Sequence, residues 1–310
     1  MNEKPKIGFV GLCGESLFFS VDHFHRPGET LHAESFFMEP GGKGYNQAVA
    51  AQRLGAQSIF IGCVGRDAGG DDCEKFLVNE GAIALFERAR DCATAYASIL
   101  TDSRGENQVT VYRGASDKLS EAFVRSCEDK IAECKMMVLG LESPLDATLA
   151  AAEIAKNHNI PIVFNPAPAK AIDMKILKSF FIITPNKPEA IQIFGLSEDA
   201  EIKDIINAIR DNGFERCLVT LGGDGALLVD GEEAFLFPAL PIKAVDTTGA
   251  GDTFNAALAV ALSEGRSLRD AVEFATNASA HSVAIPHVMQ SLPLREELEK
   301  KYMTCVPVKI

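Results

Sequence analysis

The chain is short of positive charge, of long apolar runs and of paired cysteines, and each shortage removes a class of function. Lys and Arg number 30 against 43 Asp and Glu, a formal net charge of −13. That balance argues against nucleic acid or an anionic membrane surface as a partner. It leaves room for a phosphorylated ligand, because backbone N–H groups can cradle phosphate against an unfavourable overall charge. No stretch approaches the roughly 18 apolar residues of a membrane span. The N-terminus, MNEKPKIGFVGLCGE, has no basic segment ahead of a long apolar one, so it reads as a first strand rather than a signal peptide. Cys13, Cys63, Cys73, Cys92, Cys127, Cys134, Cys217 and Cys305 form no C-x-x-C pair and show no zinc-like spacing to His. They read as the reduced cysteines of a cytoplasmic protein. There is no G-x-x-x-x-G-K-[ST], and no G-x-G-x-x-G follows the first strand. The first absence removes a P-loop, and the second weakens a nicotinamide-dinucleotide site. None of the six histidines has a triad-like companion.

What is present is an alternation of short apolar runs and amphipathic segments, without repeats, low-complexity tracts or a Pro/Ser-rich linker. At 310 residues, one large domain with an appendage and two equal domains are both open. Strands are predicted at 7–12, 58–63, 136–141, 162–165, 180–184, 217–221 and 226–229. Several are continuous apolar runs, as strands buried on both faces require. Helices are predicted at 45–54, 71–79, 121–131, 145–157, 187–194, 201–212, 250–262 and 268–283, with Gly55, Gly195 and Gly213 as stops. Such β-α alternation predicts an α/β domain with a mostly parallel sheet and helices on both faces. Residues 18–38 and 94–112 break the pattern. They read as polar-interleaved strands of a small extra sheet, a natural lid beside a strand-end crevice.

Four motifs carry chemistry. In VDTTGAGDTFN, residues 245–255, Gly249, Ala250 and Gly251 open a small-residue helix. Their N–H groups would form an anion site suited to charge developing on a transferring phosphoryl group. Asp252, in the first turn, could take a proton from an attacking hydroxyl; an ordinary helix cap is the plainer alternative. In PGGKGYNQAVAAQRLG, residues 40–55, Gly41, Gly42 and Gly44 allow close approach of a ligand, and Lys43 and Asn46 offer donors to a polyol; a tight turn with a solvated Lys43 is the alternative. In TPNKPE, residues 184–189, Asn186 and Glu189 are spaced to hold water around Mg²⁺ or to form a capping box. In TLGGDG, residues 220–225, small residues would line a nucleotide groove or turn a hairpin.

Taken in order, and with PGET (27–30), LESP (141–144) and NPAP (165–168), these motifs resemble the ribokinase-type (PfkB) carbohydrate kinases over almost the whole chain. The resemblance implies a three-layer α/β/α fold in one domain spanning 1–310, with a β-sheet lid at about 13–40 and 92–115 and a homodimer formed through the lids. It implies an ATP-dependent kinase of a small sugar, ribose first, with another pentose, a ketose, a deoxyketo sugar acid or a nucleoside as alternatives, and a non-catalytic binding relative behind them. Asp252 would be the base, and Gly249, Ala250 and Gly251 the anion hole. Gly42, Lys43, Asn46 and Glu142 would hold sugar hydroxyls. Asn186, Thr220, Gly222, Gly223, Gly225 and Asn277 would bind ATP, and Glu189 with Asn186 would hold Mg²⁺ through water. Asp246, Thr248 and Ser291 would form a monovalent-cation site for K⁺. The sequence departs from the family twice. Where ribokinases carry Asn-x-Asp, this chain has Gly14-Glu15-Ser16, so Glu15 or Ser16 would take over the sugar contact. In the segment at 285–291, His287 stands where Gly is usual. Arg113, in the lid, would either meet an acidic substrate or remain solvated.

Overall fold

The computed structural model describes residues 3–310. Its strands are β1 (Lys6–Val10), β2 (Gly14–Ser20), β3 (Ser35–Gly41), β4 (Gln57–Gly65), β5 (Ile83–Ala89), β6 (Ala95–Thr101), β7 (Asn107–Tyr112), β8 (Met136–Gly140), β9 (Ile162–Asn165), β10 (Ile182–Ile183), β11 (Arg216–Thr220), β12 (Ala226–Asp230), β13 (Glu233–Phe237) and β14 (Val308–Lys309). Ten of them form one sheet in the order β14-β13-β12-β11-β10-β9-β8-β1-β4-β5. Pairing is parallel from β5 to β11, and antiparallel from β11 out to β14.

The strands are apolar at successive positions because both faces are covered. In β8, Met136 and Val138 face one core while Met137 and Leu139 face the other; in β11, Leu218 opposes Cys217 and Val219. The first core packs against the helices Lys43–Arg53, Ala68–Asn79, Ala250–Ser263 and Leu268–Ser282. The second packs against Leu145–Asn157 and Ile202–Asp211, among others. Three layers result, as the alternation predicts.

A separate four-stranded sheet, β3-β2-β6-β7, accounts for the two segments that broke the pattern. Its β2–β6 pair is parallel and its outer pairs are antiparallel. The helix predicted over 121–131 is interrupted at Cys127, between Glu121–Ser126 and Glu128–Ala132. The strand predicted over 180–184 contracts to Ile182–Ile183.

Candidate active site

The C-terminal ends of the parallel strands open onto a crevice of about 850 Å³, the usual ligand position in such a sheet. The helix Ala250–Ser263 starts at its edge. Gly249 caps that helix at φ 77°, a conformation L-residues avoid, and a Cβ there would lie 2.8 Å from Val288 Cγ1. Gly249, Ala250 and Gly251 all line the crevice, so the positive end of the helix dipole faces it; the Ala250 N–H donates to Thr247 O at 3.3 Å, which leaves Gly249 and Gly251 as the unpartnered donors of the expected anion hole among the described residues. The helix start is also braced from below. Asn255 Nδ2 donates to Gly251 O at 2.8 Å, Thr184 Oγ1 donates to Asn255 Oδ1 at 2.5 Å, and Asn165 Nδ2 donates to Thr184 O at 3.0 Å.

Asp252 lies in the first turn, buried but lining the crevice. Asn46 Nδ2 donates to its Oδ2 at 2.8 Å and Gln47 Nε2 to its Oδ1 at 3.2 Å. Burial holds the carboxyl above the ordinary range, opposed by Lys43 and the two amides. A carboxylate so placed is oriented by fixed donors and made more basic by desolvation, which are the two requirements of a general base.

The Gly-rich turn lies beside Asp252, which it meets through Asn46. Gly42 has φ 125°, and a Cβ on it would lie 2.1 Å from Leu12 O. Lys43 N donates to Glu142 Oε2 at 2.7 Å. Burial, and then the Asp252 charge, push Glu142 up to about 7. Asn46 Oδ1 is buried with no partner among the described residues. Such an orphan acceptor is costly unless a ligand donor meets it, and a sugar hydroxyl is such a donor. Strand alternation separates the two residues expected to replace Asn-x-Asp. A Cβ on Gly41 would lie 2.7 Å from Ser16 Oγ, so Ser16 faces the Gly-rich turn. Glu15 points the opposite way, against Gly69 and the Tyr96 hydroxyl. That hydroxyl is pushed up to about 12, first by burial and then by Glu15. Of the two, Ser16 is therefore the one turned toward the Gly-rich loop, and Glu15 is turned away from it.

Thr220, Leu221, Gly222, Gly223 and Gly225 also line the crevice. They also form the turn between antiparallel β11 and β12, which is the hairpin of the two expected alternatives. Asn186 and Glu189 form the capping box, with Asn186 N donating to Glu189 Oε2 at 2.9 Å and Glu189 N to Asn186 Oδ1 at 2.8 Å. Both also line the crevice, and burial raises Glu189.

A profile of the pfkB family carbohydrate kinases matches residues 5–295. The chain belongs to the pfkB family of carbohydrate kinases. A ribokinase of Haemophilus influenzae is 36% identical over 292 residues, covering 93% of this chain and 95% of that protein. A ribokinase structure from Thermotoga maritima aligns with TM-score 0.83 at 35% identity, covering 95% of this chain and 98% of that one. The Arabidopsis thaliana ribokinase complexed with ribose and ATP aligns with TM-score 0.86 at 26% identity, covering 96% and 98%.

Within this pfkB chain, Asn277 does not reach the crevice. Its Nδ2 donates to Met303 O at 2.8 Å and its Oδ1 accepts from Met303 N at 2.8 Å, so it anchors the C-terminal segment instead. Thr276, Ser279 and Ala280 of the same helix, with Val283 just after it, line the crevice in its place. Asp246 accepts from Thr248 N at 2.9 Å and from His287 N at 3.1 Å. Ser291 is buried and its Oγ donates to Val288 O at 2.9 Å. Arg113 is tied to the Glu142 carbonyl and to Asp117, not freely solvated. Gln47 and Asn255 are the site residues that sequence patterning did not single out.

Proposed function

We propose that this pfkB kinase transfers the γ-phosphoryl group of ATP to a hydroxyl of ribose. The observation that carries this is Asp252, held by Asn46 and Gln47 in the same turn as Gly249 and Gly251, whose N–H groups have no partner among the described residues. An acceptor hydroxyl resting on Asn46 would be within reach of the Asp252 carboxylate. Asp252 takes the hydroxyl proton as the oxygen attacks phosphorus, the bond to ADP breaks, and the Gly249 and Gly251 amides receive the charge on the transferring group. Lys43, drawn above its ordinary range by Asp252, adds a positive charge on the same side. Asn186 and Glu189 would hold a water-coordinated Mg²⁺, because both line the crevice and Glu189 uses only Oε2 in the capping box, and such an ion would offset phosphate charge. Asp246, Thr248 and Ser291 are the residues offered to K⁺. Thr220, Gly222, Gly223 and Gly225 line the ATP groove.

In this reading, residues 1–310 form one kinase domain, and residues 13–40 and 92–115 form its lid, which excludes water from the transfer. The lid exposes Phe36, Met38, Val109 and Val111 on its two edge strands, which supports a homodimer through the lids. No helix among the described residues is long and apolar enough to cross a membrane, in keeping with a cytoplasmic setting.

The test is an ADP-release screen over pentoses, hexoses, sugar acids and nucleosides, with and without potassium. Ribose is expected to give the fastest release. Preference for a sugar acid would favour the reading in which Arg113 faces an acidic substrate. Thermal shifts with ligands but no acceptor-dependent ADP would mean a binding protein instead.

Glu142→Gln supplies a prediction with two opposite signs. The folded pKa near 7 lies above the unfolded value of 4.5, so the folded state prefers the proton and loses stability as pH rises between those values. At pH 8 the variant is expected to be more stable by about 1 kcal/mol, a half-buried group being partly screened. It should melt a few degrees higher, with no gain at pH 4. The same change should raise KM for the sugar about tenfold by weakening a charged hydrogen bond. Melting curves at the two pH values, beside steady-state kinetics, check both signs.

A further inference from the structure

The small sheet touches the anion-holding turn through one buried carboxylate. Glu39, on β3, is 5% exposed. Its Oε1 accepts from Val288 N and its Oε2 from Met289 N, each at 2.9 Å. Val288 is the residue whose Cγ1 lies 2.8 Å from where a Cβ on Gly249 would be. The carboxylate of the lid strand thus fixes the backbone of a side chain that packs on the first residue of the anion hole.

A second contact runs beside the first. His287 has φ 65° and ψ 155°, a conformation that side-chain-bearing residues adopt only when their surroundings impose it. Its ring lies 4.2 Å from that of Phe37 on β3, and 5.7 Å from that of Phe18 on β2 in an edge arrangement. Its N–H donates to Asp246, whose other oxygen accepts from Thr248 N. From the opposite side, Arg53 Nη1 donates to Met289 O at 2.5 Å and to Leu292 O at 3.2 Å. The 287–292 segment is therefore clamped between a helix of the main domain and the strand pair β2–β3. It bears on the 246–249 turn at two points.

We infer that Glu39 is a positioning residue for phosphoryl transfer, which links the placement of the small sheet to that of the Gly249 and Gly251 amides. The inference rests on the kinase reading for its catalytic half only. Its mechanical half is that with Glu39 in place, Val288 is held against Gly249 and the turn is kept in the shape that presents its amides. Without that carboxylate, two buried N–H groups lose their acceptor, and Val288 is free to withdraw from Gly249. Ground-state binding of sugar and nucleotide uses other residues, so the effect falls on kcat.

The experiment compares wild type, Glu39→Ala and Glu39→Gln, with specific activity expressed per folded molecule. Amide hydrogen exchange is followed over residues 246–254. Glu39→Ala is expected to lose at least tenfold in kcat with KM for sugar and ATP within twofold, and to exchange faster across 246–251. Glu39→Gln, which keeps one acceptor, should fall between, and it replaces the Ala variant should that one fail to fold. Unchanged exchange at 246–251 in the folded variant overturns the inference, as does a kcat within twofold of wild type. The exchange measurement needs no turnover. A wild type that releases no ADP with any acceptor would therefore sink the kinase reading while still deciding the mechanical link.

Discussion

Replacing Asp252 by Asn is expected to lower kcat about a thousandfold, the range of a lost general base, while leaving the protein at least as stable at pH 7. The two halves have one cause. Burial raises the Asp252 carboxyl above its ordinary range, so the folded chain bears a desolvation cost whenever that group is ionised. The neutral amide removes that cost. It keeps one oxygen for the donors that now hold Asp252, and Asn46 Oδ1, without a partner in the parent, can turn to accept from the new NH₂. The pH profile adds a second check. Asp252 acts as a base only when ionised, and Glu142 accepts from the sugar more strongly when ionised, so wild-type kcat/KM should rise with pH through the limb near 7 set by Glu142. In Glu142→Gln the limb near 7 should disappear. Wild type and Asp252→Asn transferring phosphate at equal rates would mean the base lies elsewhere.

The central layers were legible because their physics is local. A strand buried on both faces must be apolar at consecutive positions, and β1, β4, β8 and β9 are. The helices Leu145–Asn157 and Lys187–Phe194 begin and end where predicted. Reading failed at the sheet margins. β5, IALFERA, is half-buried throughout, and its charged residues hide the strand. Asn277 was misplaced through helical geometry. Thr276, Ser279, Ala280 and Val283 share the face that lines the crevice, whereas the next position round from Thr276 points to Met303. Glu15 parts from Ser16 for a related reason, since adjacent strand residues face opposite ways and of the two Ser16 turns to the Gly-rich loop. Gln47 and Glu39 carried no local signal at all. Each owes its role to a partner some 205 or 249 positions away, a distance that only the fold closes.

Gly251→Ala is expected to cost about a hundredfold in kcat, comparable to removing one donor from an oxyanion hole, with no loss of stability. The second clause gives the first its meaning. Gly251 sits in the first turn of the Ala250–Ser263 helix, exposed, and a Cβ built on it meets nothing within 4 Å. The protein itself has no steric need for glycine there, and alanine in a helix is ordinarily favoured by about 0.5–1 kcal/mol. What the methyl group enters is the space in front of the amides, where an oxygen of the migrating phosphoryl group must come to hydrogen-bond distance. Gly249→Ala would be a poor substitute for this test, because φ 77° and the contact with Val288 make it fail through strain alone. Steady-state kcat and a melting curve on the same preparation separate the two. A Gly251→Ala enzyme that melts as late as wild type but transfers phosphate a hundredfold more slowly places the reacting group against this turn. One that turns over normally leaves the helix start as a cap and nothing more.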